Sequence, residues 1–412
     1  MAFAQAPLPP VLNSPLHNAT GVGTAPTLDV TAADPDGDSL TVTYYGRVAP
    51  GPDFTIVPIP DTQFYTGEVR GGSNAMFKAQ TDWIVANKVA RNTVFVAHLG
   101  DCVENGDNGG NPIEWLRADS AMVTIENPLA TGLPDGLPYG VSVGNHDKSP
   151  VGSNGTTVLY NQFFGSARFQ GRSYYGGHYG SDNDNFFDLF SASGMDFIAI
   201  SLEYDAGPDE EVLAWADSLL EAHANRRGIV YAHSICNTGN PATFTSMGQD
   251  IYDALKDRPN LFLMLGGHVP GEGRRVDTFN GNTVYSVLSD YQGRSNGGNG
   301  WLRIMEFSPA NDVIRVRTYT PWLNQFEADA DSSSQFTLGY AMSSPFTVIG
   351  TQRVASGSSA ALSWPGRALG TAYQWYVTLS DGAAATLGPT WTFTTSSTPL
   401  HTNTVTAGIN GS

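Results

Sequence analysis

Thr93-Val94-Phe95-Val96-Ala97-His98-Leu99-Gly100-Asp101-Cys102-Val103-Glu104-Asn105 is an apolar, β-branched run ending in a loop of glycine and polar side chains. A short run of this kind suits a strand buried on both faces, and loops at the ends of such strands are where these sheets carry chemistry. The pattern recurs along the chain. Phe54–Ile59 leads into Pro60-Asp61-Thr62-Gln63, and residues 141–143 lead into Gly144-Asn145-His146-Asp147. Residues 228–231 lead into Ala232-His233, and 261–265 into Gly266-Gly267-His268-Val269-Pro270. Carboxylate, amide oxygen and imidazole together suit a divalent metal. The pattern therefore predicts one metal-dependent hydrolytic site assembled from strand-end loops.

The order D-x-H, G-D-x-x-D/E, G-N-H-D/E, an isolated H, then G-H-x-H is that of the calcineurin-like metallophosphoesterases. Residues 54 to 320 resemble that family, with Gly100-Asp101, Gly144-Asn145-His146-Asp147 and Gly267-His268 matching. Single G-D or G-H pairs are common, whereas four motifs in order, each after a strand-like run, are specific. The resemblance implies an α/β fold, a four-layer α/β/β/α sandwich, and hydrolysis of small-molecule phosphate esters by a metal-activated water. Mono-, di- and triesters all remain open.

The resemblance also implies two metal positions. Asp101 would bridge them, and Asn145, His233 and His268 would complete the second. The first would use Asp61 and two histidines, but this chain has Gln63 and Pro270 at those places. An amide oxygen still binds a hard cation, whereas proline offers no side-chain donor. The implied cofactors are thus one or two divalent ions (Zn, Mn, Fe, Mg or Ca), with the first position depleted. His146 would protonate or stabilise the leaving-group oxygen, and Asp147 would orient its imidazole. Arg274 and Arg294, in Gly-rich loops, are candidates to meet phosphate oxygens. Glu104 and Asn105 are expected at a helix N-terminus or behind the ligands, and His98 is expected to be structural. The competing expectation is a catalytically weakened pseudoenzyme acting as an extracellular binding protein. The retained His146 favours the enzyme.

With 21 Lys and Arg against 39 Asp and Glu, the net charge of −18 opposes nucleic-acid binding, because phosphate backbones select basic surfaces. No apolar stretch approaches the ~20 residues of a membrane span. Forty-six glycines with only 15% charged residues, and a start resembling the end of a signal-cleavage region (Met1-Ala2-Phe3-Ala4-Gln5-Ala6-Pro7), suggest a secreted or periplasmic protein. Cys102 and Cys236 read as buried free thiols, although an oxidising compartment would permit a disulfide.

Outside the central span the patterning is that of strands. Thr27-Leu28-Asp29-Val30-Thr31 and Leu40-Thr41-Val42-Thr43-Tyr44-Tyr45 flank the turn Asp34-Pro35-Asp36-Gly37-Asp38. Far along the chain, Tyr373, Trp375, Val377 and Leu379 alternate on one face, and Gly370-Thr371-Ala372-Tyr373 resembles the tyrosine corner of fibronectin type III-like sandwiches. The expected organisation is a split β-sandwich (7–50 and 343–396), an inserted catalytic domain (51–342) and a flexible tail (397–412). Within the insert, helices are predicted over 208–226 and 76–90.

Overall fold

A computed structural model of the chain describes residues 5–328 and 332–399, so most of the expected tail and the first four residues of the leader-like start lie outside the described residues. The structure is mixed α/β and rich in strands. It divides into two compact units, Met1–Pro50 with Ser343–Ser412, and Gly51–Met342.

In the first unit a three-stranded sheet (Val11–Ser14, Thr27–Ala32, Ser358–Ser363) and a six-stranded sheet share one apolar core. The larger sheet is centred on Leu40–Val48 and Ala372–Ser380, which pair antiparallel. Tyr373, Trp375, Val377 and Leu379 all face the core, as period-two alternation requires. The Tyr373 hydroxyl accepts from the Ala368 N–H at 2.8 Å. Asp34 closes its turn, its carboxylate accepting from the Asp36 N–H at 2.8 Å.

The second unit holds two seven-stranded sheets. In one, Met195–Leu202, Arg227–Ala232, Leu261–Gly266 and Asn282–Asp290 run parallel. In the other, Phe54–Ile59, Thr93–His98 and Tyr139–Val141 run parallel. Successive residues of these strands go to different apolar clusters. Phe95, Ala97, Phe197, Ala199, Ile229 and Tyr231 join one cluster shared by both sheets. Val57, Ile59 and Val96 instead meet the helices Asn74–Arg91 and Ile113–Glu126, while Ile198, Ile200 and Val230 meet Glu210–Ala222 and Ser246–Leu255. Burial on both faces explains why these strands read as unbroken apolar runs.

Glu210–Ala222 lies inside the predicted 208–226 and buries Val212, Ala216 and Leu220, with Glu210 and Glu211 at its positive end. Asn74–Arg91 extends the predicted 76–90 by one residue or two at each end. Cys102 and Cys236 are free, buried and in different clusters.

His98 ends the strand Thr93–His98 in a fully buried position. Its Nδ1 accepts from the Gly100 N–H at 3.3 Å, and its Nε2 lies 2.9 Å from the Thr62 hydroxyl, which itself donates to the Cys102 carbonyl at 3.1 Å. Burial, reinforced by His233, holds its pKa down to about 3. The unfolded chain takes up this proton near pH 6.5, whereas the native state refuses it until about pH 3. This group therefore makes unfolding easier as pH falls through that window, by about 1.4 kcal/mol per unit. In urea titrations, His98→Gln should show a correspondingly shallower acid dependence than wild type between pH 6 and 4.

Candidate metal centre

Each candidate ligand follows the carboxyl end of a parallel strand. Asp61 follows Phe54–Ile59, Asp101 follows Thr93–His98 and Asn145 follows Tyr139–Val141. His233 and His268 follow Arg227–Ala232 and Leu261–Gly266. Asp101 and His268 adopt left-handed backbone conformations, with φ of 49° and 70°. Side chains with a Cβ rarely adopt these, and such strain gathers at functional sites. Two glycines permit the close approach of the loops. A Cβ on Gly144 would lie 2.1 Å from the Asp101 nitrogen, and one on Gly267 would lie 2.2 Å from Asp61 Oδ1.

Asp101, His233 and His268 bring their ligand atoms within 4.8 Å of one another and could hold a metal ion. His233 Nε2 lies 3.1 Å from Asp101 Oδ2, 3.1 Å from Asn145 Oδ1 and 3.2 Å from His268 Nδ1. Ligand atoms of a tetrahedral shell with bonds of about 2.0–2.1 Å lie about 3.3–3.4 Å apart, so these separations suit a common ion. His233 Nδ1 is 2.9 Å from the Leu99 carbonyl. A proton there leaves the Nε2 lone pair facing the other donors, the arrangement that commonly orients a metal-binding imidazole. The residues present therefore fit a borderline divalent ion such as Zn, Mn or Fe. Tyr204 walls the pair, its ring 5.2 Å from His268 and 5.8 Å from His233.

The electrostatics match this arrangement. Burial would raise the Asp101 carboxyl, but His233 outweighs it and the net shift is downward. Burial would lower His233, yet Asp101 and Asp61 push it up to about 10. Burial and the charge of His233 lower His268 to about 4. Asp61 is held well above the carboxylate range, first by burial and then by Asp290, whose own pKa burial raises to about 6.

His146 stands at the rim, half-buried. Its N–H donates to Asp101 Oδ1 at 2.8 Å, its Nδ1 faces the Glu104 carbonyl at 2.8 Å, and the Glu104 carboxylate is 3.7 Å away. Asp147 does not orient this imidazole. Its two oxygens accept the N–H groups of Val103 (3.0 Å) and Gly144 (2.7 Å), so it clamps two loops together. Glu104 and Asn105 start no helix; their N–H groups donate to Glu114 at 2.8 and 3.0 Å.

Arg274 and Arg294 stand apart from the cleft. Arg294 pairs with Glu327 at 2.6 Å and Glu272 at 3.5 Å, and Arg274 lies over the Phe336 ring. The cleft, about 250 Å³, is lined by Gln63, Phe64, Arg70, Glu104, His146, Pro270, Gln292 and Gly293. Arg70, Gln292, Asp290 and Tyr204 escaped the sequence reading. Asp290 ends the apolar run 283–288, so the rule that marks Asp101 would also have marked it.

No family model matches the chain. The uncharacterized protein YvnB of Bacillus subtilis (strain 168) is 30% identical over 388 residues, covering 86% of this chain and 28% of that relative. The chain thus spans little more than a quarter of the relative's length. A solved structure of a conserved uncharacterized protein from Streptococcus pneumoniae TIGR4, described as a predicted phosphoesterase, aligns with 69% of this chain and 98% of its own. Identity there is 12% and the TM-score 0.29, too low a superposition for either molecule to inform the other.

Chelator-stripped protein reloaded with Zn or Mn should bind it through Asp101, His233 and His268. Elemental analysis after dialysis should show that His233→Ala and His268→Ala each weaken one ion by more than the ~10–100-fold typical of outer partners. Undiminished metal in both variants would remove the assignment.

Proposed function

We propose that this protein is a metal-dependent hydrolase of phosphate esters, and the observation that supports it most is the single focus formed by Asp101, Asn145, His233 and His268 with His146 at its rim. The succession of helices, sheet, sheet and helices in the apolar clusters supports a four-layer sandwich for residues 51–342. The Tyr373 hydroxyl bond supports a fibronectin type III-like sandwich for the remainder. A location outside the cytoplasm belongs to the same proposal and rests on the glycine-rich, weakly charged composition.

A bound divalent cation would supply a water of lowered pKa and neutralise charge on the phosphoryl oxygens. The protein's own groups do the rest. Asp101, Asn145, His233 and His268 fix the focus. With Nδ1–H donating to the Glu104 carbonyl, His146 has Nε2 left to meet the leaving-group oxygen. A proton on that nitrogen, transferred to the leaving-group oxygen, completes departure of the alcohol. Arg70, exposed and stacked on Phe64 at 4.6 Å, is the one Lys or Arg among the residues lining the cleft, and it takes the phosphate-facing role expected of Arg274 and Arg294.

Chromogenic phosphate mono-, di- and triesters assayed with Zn, Mn, Mg and Ca test this reading, and no turnover with any pairing would favour a binding protein instead. His146→Ala should retain metal yet lose about 10²–10⁴ in kcat, most for poor leaving groups. Equal losses across leaving groups would remove the acid role. Arg70→Ala should raise KM with little change in kcat, as loss of uniform substrate binding does.

A further inference from the structure

We infer that the pocket lined by Arg226, Arg227, Asn282, Thr283 and Tyr340 is a second ligand site, built to hold a phosphoryl group borne by a small hydroxylated molecule or by the free ion. It is remote from the metal centre and does not depend on any reaction there. Arg227 opens the strand Arg227–Ala232, Asn260 immediately precedes Leu261–Gly266, and Asn282 opens Asn282–Asp290. The pocket therefore lies at the amino ends of the parallel strands whose carboxyl ends lead to His233 and His268. The 6 residues of Arg227–Ala232, at about 3.3 Å each, put roughly 20 Å between the two places. At about 580 Å³, against about 250 Å³ for the cleft, the pocket falls in the range of small-molecule sites.

Its charge sets it apart from the rest of the chain. The protein has 39 Asp and Glu against 21 Lys and Arg, yet the described lining of this pocket holds two arginines and no carboxylate. Both arginines are half-buried, and among the described residues neither forms an ion pair. Asp217 and Glu221, on the helix Glu210–Ala222, are taken by Arg258 at 2.5 and 3.0 Å. Arg226 and Arg227 meet neutral groups instead. Arg226 Nη1 donates to the Phe197 carbonyl at 3.1 Å, and Arg227 Nη1 to the Ala341 carbonyl at 2.8 Å. Half-buried cations without a counterion are under-compensated, and two side by side repel each other. A bound anion removes both costs.

The donor set selects the anion. The Arg227 guanidinium lies 4.9 Å from the centre of the Tyr340 ring, which itself stacks on Phe262 at 4.1 Å. Stacked and bonded to a carbonyl, this side chain is already held in place, so it loses little rotamer freedom on taking a ligand. A guanidinium has five N–H donors, and these two spend few of them on protein carbonyls. One fork satisfies the two oxygens of a carboxylate. Two adjacent forks match a phosphoryl group, with three terminal oxygens and up to two charges. Beside them, Asn282 Nδ2 donates to the Arg258 and Leu261 carbonyls at 3.2 and 2.8 Å. Its Oδ1 is then the atom left to accept from a ligand hydroxyl.

The test titrates the full chain, chelator-stripped so that no ester is turned over, with glycerol phosphate, inorganic phosphate and glycerol, reading heat by calorimetry. Wild type should bind the two phosphates and not glycerol. Arg226→Ala and Arg227→Ala should each weaken that binding at least tenfold, whereas Arg70→Ala, in the cleft, should leave it unchanged. Circular dichroism checks folding. Thr283→Glu keeps both arginines with their carbonyl bonds and sets a carboxylate among them; it should also weaken binding at least tenfold, and it stands in if an arginine variant does not fold. Glycerol phosphate held more tightly than the free ion would mark a phosphorylated small molecule as the occupant, and equal affinities would mark inorganic phosphate; either result keeps the site. No binding of either phosphate by wild type would overturn the proposal. So would wild-type affinity in the folded variants, glycerol bound as tightly as its phosphate, or binding that Arg70→Ala abolishes.

Discussion

The carboxylate of Asp101 ties the strand-end loops into one object. One oxygen accepts the His146 N–H at 2.8 Å and the other lies 3.1 Å from His233 Nε2, while its backbone carbonyl accepts the Thr62 N–H at 3.1 Å. Four loops from two sheets thus meet at a single buried residue. A buried charge survives only with partners, so the loops must close around it together. The left-handed backbone of Asp101, the absence of a Cβ at Gly144 and the Asp147 clamp on Val103 and Gly144 are all consequences of that meeting. Truncating Asp101 to alanine would leave the His233 ring without its carboxylate partner at 3.1 Å and the His146 N–H without its acceptor.

The strand-end loops are legible in the sequence because burial on both faces strips polar residues from the parallel strands, leaving Asp101, Asn145, His233 and His268 conspicuous at their ends. The same physics shows Glu210–Ala222, whose acidic start and apolar stripe need no tertiary knowledge. What escapes depends on where side chains point. Asp147 follows His146 immediately, but the two occupy a turn, and Asp147 points inward to backbone N–H groups. Arg294 looks free in its glycine-rich loop, yet glycine says nothing of the Tyr291 and Trp301 rings beneath it or the carboxylates of Glu272 and Glu327 beside it. Asp290, at the end of Asn282–Asp290, obeys the same strand-end rule as Asp101. It belongs to a strand that pairs antiparallel with Gly271–Phe279 on one side and parallel with Leu261–Gly266 on the other, and only the second pairing brings its end to the centre.

The substitution of Gln63 and Pro270 for imidazoles changes the character of the site rather than merely subtracting from it. An imidazole is neutral when it binds a metal, so a site built on histidine adds no charge to be compensated. Asp61 and Asp290 are instead buried carboxyls, each raised above its ordinary range by that burial. Asp61, Asp101, Asp147 and Asp290 are four buried carboxyl groups within this cluster of loops, held by His233, backbone N–H groups and the Gln292 amide. Such a cluster favours folding far more with cations present than without, since an ion that binds only the native state stabilises it in proportion to RT ln(1 + [L]/Kd).

The same charges set an order of events on the proposed reaction. A phosphate ester would bring negative charge to a cleft whose lining offers one guanidinium, Arg70, against the Glu104 carboxylate, with the buried Asp101 beside His146. Across short distances and partly out of water, like charges repel strongly, and the chain's net charge of −18 adds no compensating field. Without cations the substrate is repelled from the place where His146 could reach its leaving group. A divalent ion held by Asp101, Asn145, His233 and His268 would offset that charge. On the proposed reaction, cation binding would therefore precede productive ester binding, with Arg70 steering the anion at the cleft.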